Sequence, residues 1–200
     1  MLRKDKIKVT PKKVILPVSL YQSIRGRYFV GYADNVIANP DTNAWAGLIN
    51  PADSGVLFYA NVITVTNVTG KPFETEFWFI AQFPGTPVCS ELVTPANTAV
   101  KPLLVPKVKI VQASNVPNIP PTGGAKIYSQ EVFEETTIVF EENGKYLFPP
   151  GGSLIVYLNL IGSPTVGRVA FGWWEEPIAR PCIGGPKKSI LFDKEDEPDV

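Results

Sequence analysis

Apolar and polar positions along this chain alternate with a period of two, interrupted at short intervals by Gly, Pro and Asn. Residues 44–83 show this most clearly. Two β-patterned runs, Val56–Thr66 and Phe73–Phe83, flank a turn-rich break, Asn67-Val68-Thr69-Gly70-Lys71-Pro72, and an Asn-Pro-Ala-Asp-Ser-Gly turn at 50–55 leads into the first. Runs rich in Val, Ile, Thr, Tyr and Phe with turn signals at both ends predict paired strands, here a hairpin. Further strands are predicted at Val14–Tyr21, at Arg27–Tyr32 with a continuation through Asn35–Ala38, and at Leu103–Val111, Lys126–Phe133, Thr136–Glu141, Ser153–Ile161 and Thr165–Glu175. Pro102 and Pro106 put the Leu103–Val111 run at a sheet edge, because proline cannot donate to a ladder. Asn143-Gly144 predicts a tight turn, since both residues tolerate positive φ. The count comes to eight or nine strands with no recurring period. It predicts an all-β fold, a jelly-roll-like β-sandwich with N- and C-terminal arms.

Several of these strands are apolar on both faces. Phe73, Phe77, Phe79, Ala81 and Phe83 share one side, while the other starts with Glu74 and Glu76 and turns to Trp78 and Ile80. Leu154, Val156, Leu158 and Leu160 oppose Ile155, Tyr157 and Ile161; Val169, Phe171 and Trp173 oppose Arg168, Ala170, Gly172 and Trp174. A two-layer sandwich needs one apolar face per strand. The surplus must be covered by arms and loops of the same chain or by another subunit, or else serve as an aromatic ligand platform. Trp78, Ile80, Ile155, Tyr157 and Trp174 are therefore the candidate interface residues.

Composition sets the scale. With 44% hydrophobic residues in a chain of 200, a sizeable core forms without disulfide or metal. The organisation expected is a basic arm at 1–13, one sandwich domain at 14–192 and an acidic tail at 193–200. Net charge is zero, but Arg3, Lys4, Lys6, Lys8, Lys12 and Lys13 crowd one end and Asp193, Glu195, Asp196, Glu197 and Asp199 the other. Such ends are solvated tails, or they pair between subunits. No basic stripe continues the arm into the body, so nucleic acid is not an expected partner. No apolar run reaches membrane-spanning length. The apolar stretch Val14–Leu20 is short and broken by Pro17, so no secretory signal is expected and synthesis is placed in the cytoplasm.

Catalytic equipment is sparse. The chain has no histidine, which removes Ser-His-Asp triads, Cys-His pairs and His-based metal sites. The adjacent acids Glu134-Glu135, Glu141-Glu142 and Glu175-Glu176 point to opposite faces of a strand, so neither member of a pair can join the other on one substrate bond. Acids from separate strands are the remaining hydrolase route. Asn39-Pro40-Asp41-Thr42-Asn43 with Asp34-Asn35 suits an Asx-type turn or an oxygen-ligated Ca²⁺, the turn being the simpler reading. Asn67-Val68-Thr69 matches an N-glycosylation acceptor. Trp45, Trp78, Trp173 and Trp174 could stack on sugars, although packing is the commoner use. Cys89 and Cys182 are two thiols or one disulfide.

Arg27-Tyr28-Phe29-Val30-Gly31, Asn43-Ala44-Trp45-Ala46, Asn50-Pro51 with Ser54-Gly55-Val56, and Thr64-Val65-Thr66-Asn67 with Pro72-Phe73 resemble an uncharacterised domain family of spore-forming Firmicutes. Pro150-Gly151-Gly152-Ser153-Leu154 and Gly172-Trp173-Trp174-Glu175-Glu176 resemble elements of jelly-roll β-sandwich subunits in phage particles and surface fibres. The resemblance covers residues 27–176 and consists of turns and strand starts, with no catalytic residue to carry over. It implies a structural sandwich with a spore-surface or particle-assembly role. The expectation is a non-enzymatic structural subunit, a homo-oligomer without cofactor; the alternative is a carbohydrate- or ligand-binding module, with a glycan as partner.

Overall fold

The computed structural model describes residues 15–159 and 164–178. One helix, α1 (Val18–Ile24), precedes eleven strands: β1 (Tyr28–Ala38), β2 (Thr42–Ile49), β3 (Val56–Thr69), β4 (Phe73–Phe79), β5 (Val88–Cys89), β6 (Val93–Pro95), β7 (Lys109–Pro117), β8 (Ala125–Val132), β9 (Thr137–Phe148), β10 (Ser153–Asn159) and β11 (Thr165–Pro177). They form two antiparallel sheets, ordered β6-β1-β11-β3-β9 and β5-β7-β2-β10-β4-β8. Without β5, β6 and β7, the orders β1-β11-β3-β9 and β2-β10-β4-β8 are those of a jelly roll, eight strands in two Greek keys. The Pro-rich region after β4 supplies the other three. β6 adds to the β1 edge, and β7 with β5 adds to the β2 edge.

Inner faces of the two sheets supply the core. Phe29, Leu48, Phe58, Ile63, Val65, Phe73, Phe77, Ile110, Leu154, Val156, Leu158, Val169, Phe171 and Trp173 are all buried there. This is the period-two pattern of the sequence closing on itself across a gap of about 10 Å.

The predicted hairpin of residues 44–83 is not one. β3 lies in the five-stranded sheet between β11 and β9, whereas β4 lies in the six-stranded sheet between β10 and β8. Residues 70–72 carry the chain from one sheet to the other, as residues 50–55 do between β2 and β3. A buried asparagine closes each crossing. The Asn50 amide donates to the carbonyls of Val56 (2.8 Å) and Phe148 (3.3 Å), and the Asn67 amide to those of Lys71 (3.0 Å) and Val132 (3.4 Å). Asn67 is fully buried, so the glycosylation-like tripeptide holds a structural amide. Gly70 has φ +110, and a Cβ there would lie 2.5 Å from the Pro164 carbonyl oxygen, so only glycine fits.

Other expectations are corrected as well. The strand predicted at Val14–Tyr21 is helix from Val18, nucleated behind Pro17, whose carbonyl accepts from the Tyr21 N–H at 3.0 Å; Val14 lies outside the described residues. Residues 42–49, for which no separate strand is predicted, form β2. The predicted edge strand Leu103–Val111 is replaced by Lys109–Pro117, between β5 and β2. Asn143-Gly144 does not end a strand. Both residues have positive φ, yet β9 runs through them as a bulge against β3 between Glu141 and Tyr146.

Candidate functional site

Ile155, Tyr157 and Trp174, three of the candidate interface residues, are buried under the chain's own elements. On the outer face of the six-stranded sheet, Trp45, Val111, Ala113, Val116, Ile155 and Tyr157 form a second small core, with Ile49, Trp78 and Phe83 packed on it. The loops after β4 and β7 roof it. Phe83 stacks near Trp45 and Tyr157 at 5.4 and 5.8 Å, and Trp45 Nε1 donates to the Pro84 carbonyl. Tyr157 Oη accepts from the Asn43 amide at 2.6 Å and donates to the Ile119 carbonyl at 3.2 Å. Burial raises its pKa above the ordinary tyrosine value, against the lowering effect of Asn43. The surplus apolar face on this sheet is thus an intramolecular packing surface.

Trp78 is half-buried and its indole donates to Glu76 Oε2 at 2.8 Å. Ile80 is 61% exposed and has φ +53, an outlying conformation for a β-branched residue, just where β4 ends. Lys126 Nζ lies 2.6 Å from Glu76 Oε1 and 3.9 Å from Glu74 Oε1. Two acids two residues apart on one strand thus share one ammonium, a convergence that inspection of adjacent acids missed. Ser129 Oγ also bonds Glu74. Cys89 is an exposed free thiol on β5. Cys182, the basic arm and the acidic tail lie outside the described residues. Asn39 and Thr42 close a turn, Thr42 N–H to the Asn39 carbonyl at 3.0 Å, and Asp34 is engaged by Arg168 Nε at 2.9 Å. That guanidinium holds the Asp34 carboxyl below its usual range.

The outer face of the five-stranded sheet is different. Ladder register sets Tyr28, Trp174, Tyr59 and Leu147 in one cross-strand row, Thr94, Val30, Gly172, Val62 and Glu141 in the next, then Tyr32, Ala170, Thr64 and Val139. The first row is a slab of rings. Trp174 stacks on Tyr59 at 5.1 Å and on Tyr28 at 6.5 Å, and the β9 bulge closes over it: a Cβ on Gly144 would meet the indole. Below the slab the central strand carries only Gly172 and Ala170. This leaves an apolar trough of about 550 Å³, bordered by Val30, Tyr32, Val62, Thr64, Leu92 and Glu91. Sequence periodicity had put Ala170, Gly172 and Trp174 on one face. It gave no sign of the wall added by β6, because nothing local ties residues 91–94 to β1.

Strand edges form the second distinctive surface. β6 and β5–β7 cover one side of the sandwich, while β8 and β9 on the other have no further neighbour among the described residues. Every residue of β8 except Val132 is exposed. Tyr128, whose side packs toward Phe77 and Phe140, is still 45% exposed, so the opposing sheet does not fully roof this strand.

The sequence model of a family of unknown function, DUF6143, matches residues 1–180. The chain belongs to this family. No curated protein and no solved structure matches it. Membership in DUF6143 therefore brings no named activity, and the trough and the open edge are the features of this member that point to a role.

Proposed function

We propose that this protein is a non-enzymatic structural subunit that self-associates by pairing β8 with a strand of a second copy, in an assembly of the spore-surface, particle or fibre kind. The observation that carries the reading is the asymmetry of the edges: the inserted strands cover the β1 and β2 sides, and among the described residues nothing covers β8 and β9. Unpaired edge N–H and C=O groups are a template for another strand unless charge, proline or a bulge blunts them. β8 contains no proline, and its register shift falls at Ile127, leaving Tyr128–Val132 regular. Lys126, the residue that would guard the edge, is turned onto Glu76 and Glu74 instead. Exposed Ile127, Tyr128 and Phe133 supply apolar area beside the edge. The resemblance to fibre and particle subunits, and the lack of histidine, support the same reading.

A carbohydrate-binding role draws less support. Trp45, Trp173 and Trp174 are buried, and Trp78 is half-buried against the second core with its N–H held by Glu76, so no cluster of exposed tryptophans forms a sugar platform. Size-exclusion chromatography with light scattering on the full chain tests the proposal. Oligomers that fall apart on introducing Gln130→Lys with Phe133→Lys, at unchanged circular dichroism, are the expected result. A wild-type monomer at high concentration would sink it.

A further inference from the structure

We propose that the trough on the outer face of the five-stranded sheet seats this chain's own N-terminal segment, Lys6–Thr10. The described chain begins at Ile15, just before α1. Ser19 and Leu20 in the first turn of α1 stand with Tyr28, Asn61 and Ala96 around a hollow that adjoins the trough, since Tyr28 lies two residues before Val30 on β1 and Ala96, just past the end of β6, donates its N–H to the Tyr28 carbonyl. The preceding residues therefore leave α1 at the ring-slab end of the trough. Five residues, from Ile15 back to Thr10, reach about 17 Å when extended, and the floor from Gly172 to Arg168 is about 13 Å long. No second molecule is needed to bring the segment there.

Pattern and charge fit as well. Lys6-Ile7-Lys8-Val9-Thr10 alternates with period two. In an extended segment Ile7 and Val9 stand about 7 Å apart on one side, the same spacing as Gly172 and Ala170 on the floor. Gly172 keeps the floor low between its neighbours: a Cβ there would lie 2.5 Å from Tyr28 Oη and 2.7 Å from Val62 Cγ1. Lys6 and Lys8 then face outward between Glu91, which borders one wall, and Glu141, which stands opposite Val62 beyond the other. The family match also spans the arm and stops at residue 180, before the acidic tail. The basic arm, and not the tail, belongs to the part of the chain that defines the family.

With the arm seated, the outer face of this sheet is covered and the β8 edge is the surface left to a partner. The two ideas fail separately, because a monomer can still hold its own arm.

Disulfide trapping in the full chain tests the proposal. Cysteines replace Val9 and Ala170 in a background of Cys89→Ser and Cys182→Ser, with Val9→Cys plus Ser54→Cys as a distant control. Mild oxidation should give a 9–170 link within single chains, several-fold above the control, and Ile7→Asp should reduce it about tenfold. That variant leaves every core residue of the described sandwich unchanged. In the cysteine-free background, Ile7→Asp with Val9→Asp should raise binding of an apolar dye several-fold. Links found only between chains would mean that a second copy donates the arm, and would overturn the assignment. Linking no better than the control, with dye binding unchanged, would also overturn it and leave the trough to another ligand.

Discussion

Replacing Asn67 with alanine should destabilise the protein by about 2 kcal/mol, although the residue sits in what reads as an ordinary surface turn. Its amide donates to the Lys71 carbonyl at 3.0 Å and to the Val132 carbonyl at 3.4 Å, tying the β3–β4 crossing to the end of β8. The first bond has normal geometry and contributes about 1 kcal/mol net; the second is long and contributes less. Alanine also leaves both carbonyls without this donor in a region where Asn67 itself is fully buried, which adds on the order of 1 kcal/mol or more. Against this, Asn67 Oδ1 has no partner in the native fold, so its removal returns part of that cost. A change of about 2 kcal/mol lowers Tm by about 4–8 °C for a domain of this size. Urea unfolding followed by tryptophan fluorescence, with the slope m checked for constancy, measures it. Asn67→Asp should be worse than Asn67→Ala, because a carboxylate would face two carbonyl oxygens. A loss below about 0.5 kcal/mol, the range of a neutral surface substitution, or an aspartate no worse than alanine, would refute the role given to this amide.

Glu175 is a buried carboxylate that accepts from the N–H groups of Lys107 and Val108 and from Trp173 Nε1, all at 2.9–3.1 Å; Glu175→Ala should cost about 3 kcal/mol, and hydrogen exchange at Lys107 and Val108 should accelerate, unchanged exchange there counting against it. Tyr157 has a raised pKa in the fold, chiefly from burial, so its contribution is complete below the ordinary tyrosine pKa and is lost as pH rises through the raised value. Tyr157→Phe should therefore flatten the alkaline limb of the stability–pH curve, and an unaltered limb would contradict it. Asp34, held down by Arg168, works in the opposite sense: its contribution is present above the ordinary carboxylate pKa and lost as pH falls through the lowered value. Because Arg168 is exposed, the pair adds no more than about 1 kcal/mol; Asp34→Asn should lose up to that amount at neutral pH and none at low pH, so that the acid dependence disappears from the stability–pH curve. Phe83→Ala should unroof Trp45 and Tyr157, shifting tryptophan emission to the red at a cost of about 2 kcal/mol; an unshifted spectrum would show that other residues hold the roof.

Much of the architecture was legible along the chain because a strand's faces are local. Period-two alternation marked β1, β3, β4, β8, β10 and β11 and put Phe77, Leu158, Val169 and Trp173 on inner faces, where the structure has them. Which strands would pair was not local. A six-residue break such as 67–72 suits a loose hairpin or a crossing between sheets, and only the need of β3 and β4 to bury facing sides against each other decides for the crossing. The same limit applies to the interface candidates. Ile155, Tyr157 and Trp174 are correctly placed on outer faces by periodicity, yet residues 80–87 and 117–122, α1 and the β9 bulge fold over those faces through long-range contacts that no window of sequence contains. The trough and the bare β8 edge arise likewise from where the inserted strands dock. Alternation and turn chemistry in the sequence determined an all-β sandwich; the docking of residues 80–124, set by packing across the whole domain, decided which of its faces and edges stay open.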